Sequence, residues 1–358
     1  MQLRILFVLL VLFSACKEEP ATNPVSIQFR GETMGTYYAV TYSDTDARNF
    51  QQALDSVLQV INLEVSTYIP QSTISQFNQS ETGLDLKVNY MEEMLKSSAP
   101  KEAQPADWHF ARNYYLSQTI RDLVGPAFDP TVMPLVNYWG FGYTPHKAVS
   151  LVDSLAVDSL LRFVGFDKVQ LNGALVTKPF SGVQLDFSAV AKGYAVDELG
   201  RFLEVHGIKD YLVEIGGEVR ARGKSSRGDF WKIGINTPQE GAATTDFELL
   251  VNLEDKSLAT SGNYRNFYEI DGMKYAHTIN PASGYPERSQ LLSASVFAED
   301  CAIADGLATA FMVLGLEASK EKLTTLKGID ACLIYGESDG SLGVFVTPGI
   351  KKYIESVD

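Results

Sequence analysis

Cysteine is scarce in this chain of 358 residues, and positive charge is not in excess. The three cysteines, Cys16, Cys301 and Cys332, are too few for a disulfide framework, so the fold must depend on packing. The 44 acidic residues exceed the 30 basic ones, and the formal charge of -14 argues against a broad basic surface that grips nucleic acid. A small phosphate-bearing ligand stays compatible with this charge if a metal ion, a lysine or backbone amides offset it locally.

Several common site motifs are also missing. The chain has 4 histidines, and no group of cysteine and histidine has the spacing of a zinc site. A P-loop lysine motif is absent, and Gly216-Gly217 before Glu218 is not a dinucleotide fingerprint. Hydrophobic residues make up 45% of the sequence, which is enough for a sizeable core and excludes a disordered polymer.

The N-terminus has the features of an export signal. An arginine precedes the unbroken apolar run Ile5 to Phe13, which is too short to span a hydrocarbon core of about 30 Å as a helix. Ser14-Ala15 then leads to Cys16, an arrangement that resembles a bacterial lipoprotein signal, in which this cysteine becomes the lipidated first residue. We expect residues 1–15 to be a signal peptide and residues 16–24 a tether. An ordinary cleaved signal peptide with an incidental cysteine is the alternative.

Hydrophobic periodicity predicts helices and strands that are mixed along the chain. The segments with strand patterns are Val25–Phe29, Thr36–Tyr42, Tyr211–Ile215, Glu218–Arg222, Trp231–Ile235, Phe247–Leu253, Ala331–Tyr335 and Gly343–Val346. The segments with helical patterns are Phe50–Ile61, Asn89–Ser98, Asp107–Leu123, Ala302–Leu314 and Glu317–Leu326. Because the two types do not alternate strictly, we predict an α+β fold, with residues 25–358 forming one continuous domain.

The segments Gly125 to Val132 and Tyr138 to Gly142 are dense in glycine, proline and aromatic residues. Such a composition fixes a backbone path, and the rings of Phe128, Trp139 and Phe141 would offer a flat ligand a stacking wall. A rigid, aromatic-packed turn is the alternative, and the local chemistry alone favours it.

A carboxylate and a lysine flank the start of another predicted helix. Asp186 ends a predicted strand, Ser188 lies near the helix start, and Lys192 follows one turn later. Free backbone N–H groups at a helix N-terminus can hold an anion. An ordinary helix cap with a solvated lysine is the alternative.

Two further groups carry hydroxyls, a histidine and a carboxylate. Thr260 and Ser261 lie beside a glycine, and a predicted strand with His277 follows. A histidine can take the proton of a hydroxyl nucleophile, although a lone histidine in a strand is usually structural. Asp305 and Thr309 are four residues apart on a predicted helix, so their oxygens lie on one face and can share a cation such as Mg²⁺.

Taken in order, these clusters resemble the ApbE family of flavin transferases, which move FMN from FAD onto a threonine of an acceptor protein. The likeness covers roughly residues 27–350. The family's N-terminal signature is matched by Met34-Gly35-Thr36 and by Ser66-Thr67-Tyr68-Ile69-Pro70 with Ser75, Phe77 and Asn78. Glu218 departs from the family pattern, in which aspartate is common after the glycine pair.

The resemblance implies roles for individual residues. Contacts to FAD are implied for Met34, Tyr68, Ala127, Phe128, Asp129 and Asp186, with Lys192 beside them and Thr260, Ser261 and Ile279 in segments that line the same cleft. Mg²⁺ is implied at the backbone carbonyl of Ala189 and the side chains of Asp305 and Thr309. His277 matches the base of the family, and Lys192 is expected to assist the transfer.

The implied activity is Mg²⁺-dependent transfer of FMN from FAD to a threonine hydroxyl, with release of AMP. Two alternatives stay open, namely a pyrophosphatase that hydrolyses FAD to FMN and AMP, and a non-catalytic FAD-binding lipoprotein. We expect lipid anchorage through Cys16 on the periplasmic side of a bacterial membrane. The expected partners are membrane-associated redox proteins that carry the target threonine, and no nucleic acid.

Overall fold

The computed structural model describes residues 23–96, 104–144, 152–238, 246–263, 267–270 and 273–356. Outside these ranges lie the expected signal peptide, Cys16 and most of the expected tether. Most of the segment between the helices predicted near residues 90 and 110 also lies outside them. Within these ranges, no helix combines the length and apolar character needed to cross a membrane.

The strands are β1 Val25–Thr33, β2 Thr36–Asp44, β3 Gly83–Asp85, β4 Gln170–Asn172, β5 Leu175–Thr177, β6 Tyr211–Ile215, β7 Glu218–Arg222, β8 Trp231–Asn236, β9 Phe247–Leu253, β10 Ser257–Gly262, β11 Phe267–Ile270, β12 Met273–Ala276, β13 Leu291–Ala298, β14 Asp330–Gly336, β15 Leu342–Val346 and β16 Ile354–Ser356. The helices are α1 Gln51–Val65, α2 Thr73–Gln79, α3 Tyr90–Lys96, α4 Trp108–Val124, α5 Met133–Tyr138, α6 Ser154–Leu161, α7 Ser188–Val205, α8 Cys301–Leu314 and α9 Leu316–Leu323.

An eight-stranded sheet with the order β1-β2-β6-β7-β10-β13-β14-β15 organises the fold. Every neighbouring pair in this sheet is antiparallel. Helices α1, α4, α7 and α8 pack together on one side of it around the main hydrophobic core. An antiparallel sheet with helices on one face is an α+β arrangement, so the predicted fold class is confirmed.

Two glycines allow helix α8 to lie close to its neighbours. A Cβ atom on Gly193 of α7 would come within 2.4 Å of the carbonyl oxygen of Cys301, at the start of α8. A Cβ atom on Gly306 would come within 2.3 Å of Ile120 on α4. Because real side chains cannot tolerate such distances, glycine at both positions lets the helix backbones approach, and α8 is buried among α7, α4 and the sheet.

The two described cysteines have no bridge between them. Cys301 and Cys332 are both free thiols and both buried. They lie in different hydrophobic clusters, Cys301 in the main core and Cys332 in a smaller core that also contains residues of β8 and β9. In this structure they are therefore two separate buried thiols.

Three strand predictions were accurate at both ends. The predicted bounds of β6, β7 and β9 match the structure. The short helices α2, α5 and α6 and the three-residue strands β3, β4 and β5 were not anticipated. Elements of this length span too few residues to show a hydrophobic period.

Candidate active site

Asp305 and the first turns of α7 meet at the contact between α7 and α8. The backbone N–H of Gly193 donates a hydrogen bond of 2.9 Å to Asp305 Oδ2. In a regular helix this N–H points at the carbonyl oxygen of residue 189. The Ala189 carbonyl and the Asp305 carboxylate therefore lie beside the same N–H group, as a shared metal site requires.

A third oxygen ligand of the expected Mg²⁺ site lies one turn further along α8. The hydroxyl oxygens of Thr309 and Ser261 are 3.2 Å apart. This contact joins α8 to the end of β10, so Ser261 is adjacent to the expected cation site. The hydroxyl of Thr260 instead lies 2.8 Å from that of Ser295 on the neighbouring strand. Because successive side chains of a strand point to opposite faces, Thr260 faces away from α8.

Lys192 forms an ion pair with a buried carboxylate, which the sequence did not indicate. Its Nζ lies 2.5 Å from Oε1 of Glu218, the first residue of β7. Burial lowers the pKa of Lys192, but the charges of Asp305 and Glu218 outweigh this effect and hold the pKa well above its usual range. Burial also raises the pKa of Glu218 and of Asp305, against the opposing effect of Lys192. One ammonium thus lies between two carboxylates.

This local charge suits a cation with oxygen ligands. When Asp305 and Glu218, each only 3% exposed, are both ionised, Lys192 offsets one of them and one buried negative charge is left. A buried surplus charge is costly unless a counter-ion compensates it. The donor set of one carboxylate, one hydroxyl and one carbonyl suits Mg²⁺, which usually takes one or two protein carboxylates and completes its shell with water and phosphate oxygens. Among the described residues, no group of three or more histidine, cysteine, aspartate and glutamate side chains is placed to hold a metal ion.

Asp186 lies just before α7, as the sequence predicts. Its Oδ1 accepts a hydrogen bond of 2.8 Å from the backbone N–H of Ser188. Its own N–H donates to the carbonyl of Pro130, which joins the start of α7 to the turn after α4. Tyr68 is 70% exposed, and burial of its hydroxyl together with the charge of Asp186 raises its pKa. Tyr68, Asp186 and the turn after α4 therefore lie together.

That turn is rigid, and its side chains face inwards. Phe128 is buried in the main core, whereas Ala127 is partly exposed at the end of a short 3-10 helix. The carboxylate of Asp129 pairs with Arg121 at 2.5 Å and accepts hydrogen bonds from the N–H and hydroxyl of Thr131. For these side chains the structure favours the aromatic-packed turn over a stacking wall.

Met34 occupies a strained position in the turn between β1 and β2. Its φ of 50° and the φ of 72° at Gly35 are both in the left-handed region. A two-residue hairpin turn of type I′ requires positive φ at both residues. A non-glycine residue there costs on the order of 1 kcal/mol, and such strain is frequent at functional sites. Thr36 lies against Gly216 in the β6–β7 turn, so Met34 and Glu218 are at the same end of the sheet.

His277 lies directly after β12, which ends at Ala276, so its predicted location inside a strand is wrong by one residue. Its ring meets that of Phe141 edge to face, with centroids 6.4 Å apart. The next residue, Thr278, donates a hydrogen bond of 3.0 Å to Asn263 Oδ1, two residues after Ser261. His277 is thereby held on the same side of the molecule as the end of β10.

Ile279 and Trp139 belong to a separate small core beside His277. Ile279 is 6% exposed and packs in the same cluster as Trp139 and Leu135. The indole N–H of Trp139 donates a hydrogen bond of 2.7 Å to the carbonyl of Gly284. The aromatic segment near residue 140 therefore supports the loop that carries His277, and the Trp139 ring is fully buried.

Fold and site together define an α+β protein with a group of oxygen donors and charged side chains at the contact between α7 and α8. The sequence model of the ApbE family matches residues 34–333. The FAD:protein FMN transferase of Vibrio cholerae is 32% identical over 86% of this chain and 86% of its own length. The protein of the same name from Haemophilus influenzae is 34% identical, with 86% of this chain and 85% of its own length covered.

Solved structures of flavin transferases resemble this chain as well. The flavin transferase ApbE from Vibrio cholerae superposes with a TM-score of 0.77 at 29% identity, covering 92% of this chain and 99% of that one. The apo flavinyl transferase ApbE from Pseudomonas stutzeri also gives 0.77, at 28% identity, covering 94% of this chain and 98% of that one. The chain therefore belongs to the ApbE family.

Proposed function

We propose that this protein is an FAD:protein FMN transferase that joins FMN to a threonine hydroxyl of an acceptor protein and releases AMP. The observation that carries the proposal is the meeting of Asp305, Thr309, the Ala189 carbonyl and the Lys192–Glu218 pair in one place. These groups converge from three separate parts of the chain, and each lies where family membership implies a role or directly beside such a residue. The names of the relatives support the same reaction.

In the proposed reaction, the threonine oxygen forms a bond to the phosphorus on the FMN side of FAD. The P–O bond to the AMP phosphate breaks, and AMP leaves with the bonding electron pair. Asp305, Thr309 and the Ala189 carbonyl would hold Mg²⁺, which offsets charge on the pyrophosphate oxygens when it is bound. Lys192 adds a fixed positive charge close to the same oxygens.

His277 is the proposed acceptor of the threonine proton. It lies on a loop supported by Trp139 and Phe141 and is not one of the proposed cation ligands, so it can act without displacing one. We predict that His277→Ala slows transfer by roughly 100-fold and changes the affinity for FAD by less than about threefold. Single-turnover transfer rates and equilibrium titration of FAD separate the two quantities. A large loss of FAD affinity with an unchanged transfer rate would assign His277 to binding instead.

The proposal is tested by incubating the protein with FAD, Mg²⁺ and candidate threonine-containing acceptors. We expect a fluorescent acceptor band that survives denaturation, together with one AMP for each FMN attached. Release of FMN and AMP without any acceptor would select the FAD pyrophosphatase. Tight FAD binding without any product would select the non-catalytic binding protein.

We further propose that the protein is exported and anchored by a lipid on Cys16, and that its acceptors are membrane-associated redox proteins on the periplasmic side. The N-terminal sequence supports this location. Replacing Cys16 with serine would release the protein into the soluble fraction if the cysteine is lipidated. Mass spectrometry of FMN-modified proteins would identify the acceptors.

A further inference from the structure

Lys192 lies between two carboxylates but contacts only one of them. Its Nζ is 2.5 Å from Glu218 Oε1, and among the described residues Glu218 is the one ion-pair partner it has. Asp305 also acts on Lys192 through its charge, so both carboxylates lie within electrostatic reach of the ammonium. An ammonium with three donors and two nearby carboxylates can pair with either of them.

Glu218 has a fixed position at the start of β7, and the proposed reaction gives it no role of its own. It follows the two-residue turn Gly216-Gly217, whose φ values of 60° and 105° are both positive, and it pairs with Ile215 across the β6–β7 hairpin. Its second oxygen, Oε2, is buried and has no hydrogen-bond partner in the described part of the chain. Lys192 is therefore the main interaction of this side chain, and the hairpin fixes where the ammonium is held.

The positions of these groups create a competition for Asp305. Asp305 already uses Oδ2 for the N–H of Gly193, and it carries the carboxylate of the proposed cation site. If Lys192 turned to Asp305, an internal ion pair would replace the cation. Neutralising a buried carboxylate from within the protein removes most of its attraction for an added ion.

We propose that Glu218 is a positioning residue that holds Lys192 away from Asp305 and so keeps the Asp305 carboxylate free to bind a divalent cation. The inference rests on the proposed function, because that function supplies the need for Mg²⁺. Glu218 thereby affects cation binding without being a ligand.

The test is calorimetric titration of the FAD-free protein with MgCl₂. Glu218→Gln keeps the shape of the side chain and removes its charge, and we expect it to weaken Mg²⁺ binding by roughly tenfold or more. Glu218→Asp retains the charge, and we expect its affinity to lie within about threefold of the wild type. Glu214→Gln is the matched control, because it removes the same charge from neighbouring β6, where Glu214 bonds Tyr37 instead of Lys192. We expect its Mg²⁺ affinity to be unchanged.

The decisive variant combines Glu218→Gln with Lys192→Met. If Lys192 competes for Asp305, removing it restores Mg²⁺ affinity to within about threefold of the wild type, and the effects of the two changes are not additive. If the double variant binds as weakly as Glu218→Gln alone, Glu218 is itself a ligand and the proposal is overturned. Unchanged affinity in Glu218→Gln, or no Mg²⁺ binding by the wild type, also overturns it.

Two further measurements separate this result from other failures. Thermal unfolding without Mg²⁺ verifies that each variant is folded, and Glu218→Asp provides a conservative substitution if Glu218→Gln is not. Wild-type transfer from FAD is assayed in parallel. If the Mg²⁺ affinities follow the expected pattern but no FMN is transferred, the proposed function fails while the role of Glu218 stands.

Discussion

Two buried charge clusters lie on the same three elements, α7, α8 and β7, and they differ in how completely their polar groups are paired. In the first, Asp197 accepts hydrogen bonds from Arg220 and from the backbone N–H groups of Cys301 and Ala302. Arg220 also donates to the hydroxyl of Tyr211. In the second cluster, formed by Lys192, Glu218 and Asp305, the ion pair leaves Oε2 of Glu218 buried and without a hydrogen-bond partner among the described residues.

The difference distinguishes a structural network from the proposed binding site. Asp197 accepts hydrogen bonds from the N–H groups at the start of α8, which have no partner within that helix, and so fixes α8 against α7. A buried network that is fully satisfied within the protein has no remaining need for a ligand. Among the described residues, the second cluster has an unpaired oxygen, and when both of its carboxyl groups are ionised it has a surplus negative charge that a bound cation would compensate. Glu218 and Arg220 are two residues apart on β7, so one strand face serves both clusters.

The largest expected effect is the loss of activity on removing Asp305. Asp305→Ala removes the one carboxylate of the proposed Mg²⁺ site, and we expect the rate of FMN transfer to fall by roughly 1,000-fold or more. The fold should lose at most about 1 kcal/mol, because a costly buried charge disappears as well. In-gel flavin fluorescence and urea unfolding measure the two quantities.

The control for this change is Asp300→Ala, which removes a partly exposed aspartate adjacent to the same helix. We expect transfer within about twofold of the wild type, since Asp300 accepts no capping hydrogen bond and lies by the structural cluster. If Asp305→Ala transferred FMN at a normal rate, the second cluster would not be the binding site.

The opposite pattern is expected for the first cluster. Asp197→Ala leaves Arg220 buried without its main partner and frees two N–H groups of α8, so we expect a loss of about 3 kcal/mol in the free energy of unfolding. Urea denaturation of wild type and variant gives this value. A loss below about 1 kcal/mol would remove the distinction between the clusters.

Lys178 adds a third buried charge to the comparison, and its hydrogen-bond acceptors are all backbone carbonyls. Its Nζ donates to the carbonyls of Asn78, Ser181 and Val183, and no carboxylate in the described structure pairs with it. Burial lowers its pKa to about 8. The ordinary pKa of a lysine, near 10.5, applies to the unfolded state. Between about pH 8 and 10.5 the unfolded state therefore binds more protons than the folded state, so the stability must rise with pH across this window.

We expect the free energy of unfolding of the wild type, relative to that of Lys178→Met, to increase by about 2 kcal/mol between pH 7.5 and 9.5. Subtracting the variant cancels the titration of all other groups, and denaturant unfolding at several pH values provides the data. Parallel pH profiles for the two proteins would show that Lys178 is not desolvated as the structure indicates.

Sequence reasoning selected most residues of the proposed site but not the contacts between them. Asp305 and Thr309 were recognised because helical spacing puts them on one face, and Ser188 was correctly predicted near the start of a helix. Glu218 was noted only as a departure from the family pattern. Its pairing with Lys192 crosses 26 residues and arises only when β7 packs beneath α7, which no local pattern reveals.

The same limit applies to Asp197 and Arg220. Each lies in an element that was predicted correctly, yet their ion pair was not anticipated, because it depends on where α7 crosses the sheet. A signal was present: Arg220 is a charged residue inside a strand whose first four residues are buried. A charge in such a strand requires a buried partner. By contrast, the side chains of Phe128 and Asp129 have packing and turn contacts in the structure, and their implied contact with FAD stays a prediction.

The account is tested most directly by titrating FAD into wild type and Asp305→Ala, each with and without Mg²⁺. If the incompletely paired cluster is the binding site, Mg²⁺ should tighten FAD binding to the wild type by at least roughly tenfold and should have no effect on the variant. An equal Mg²⁺ effect in both proteins would contradict the account, because the cation would then bind elsewhere.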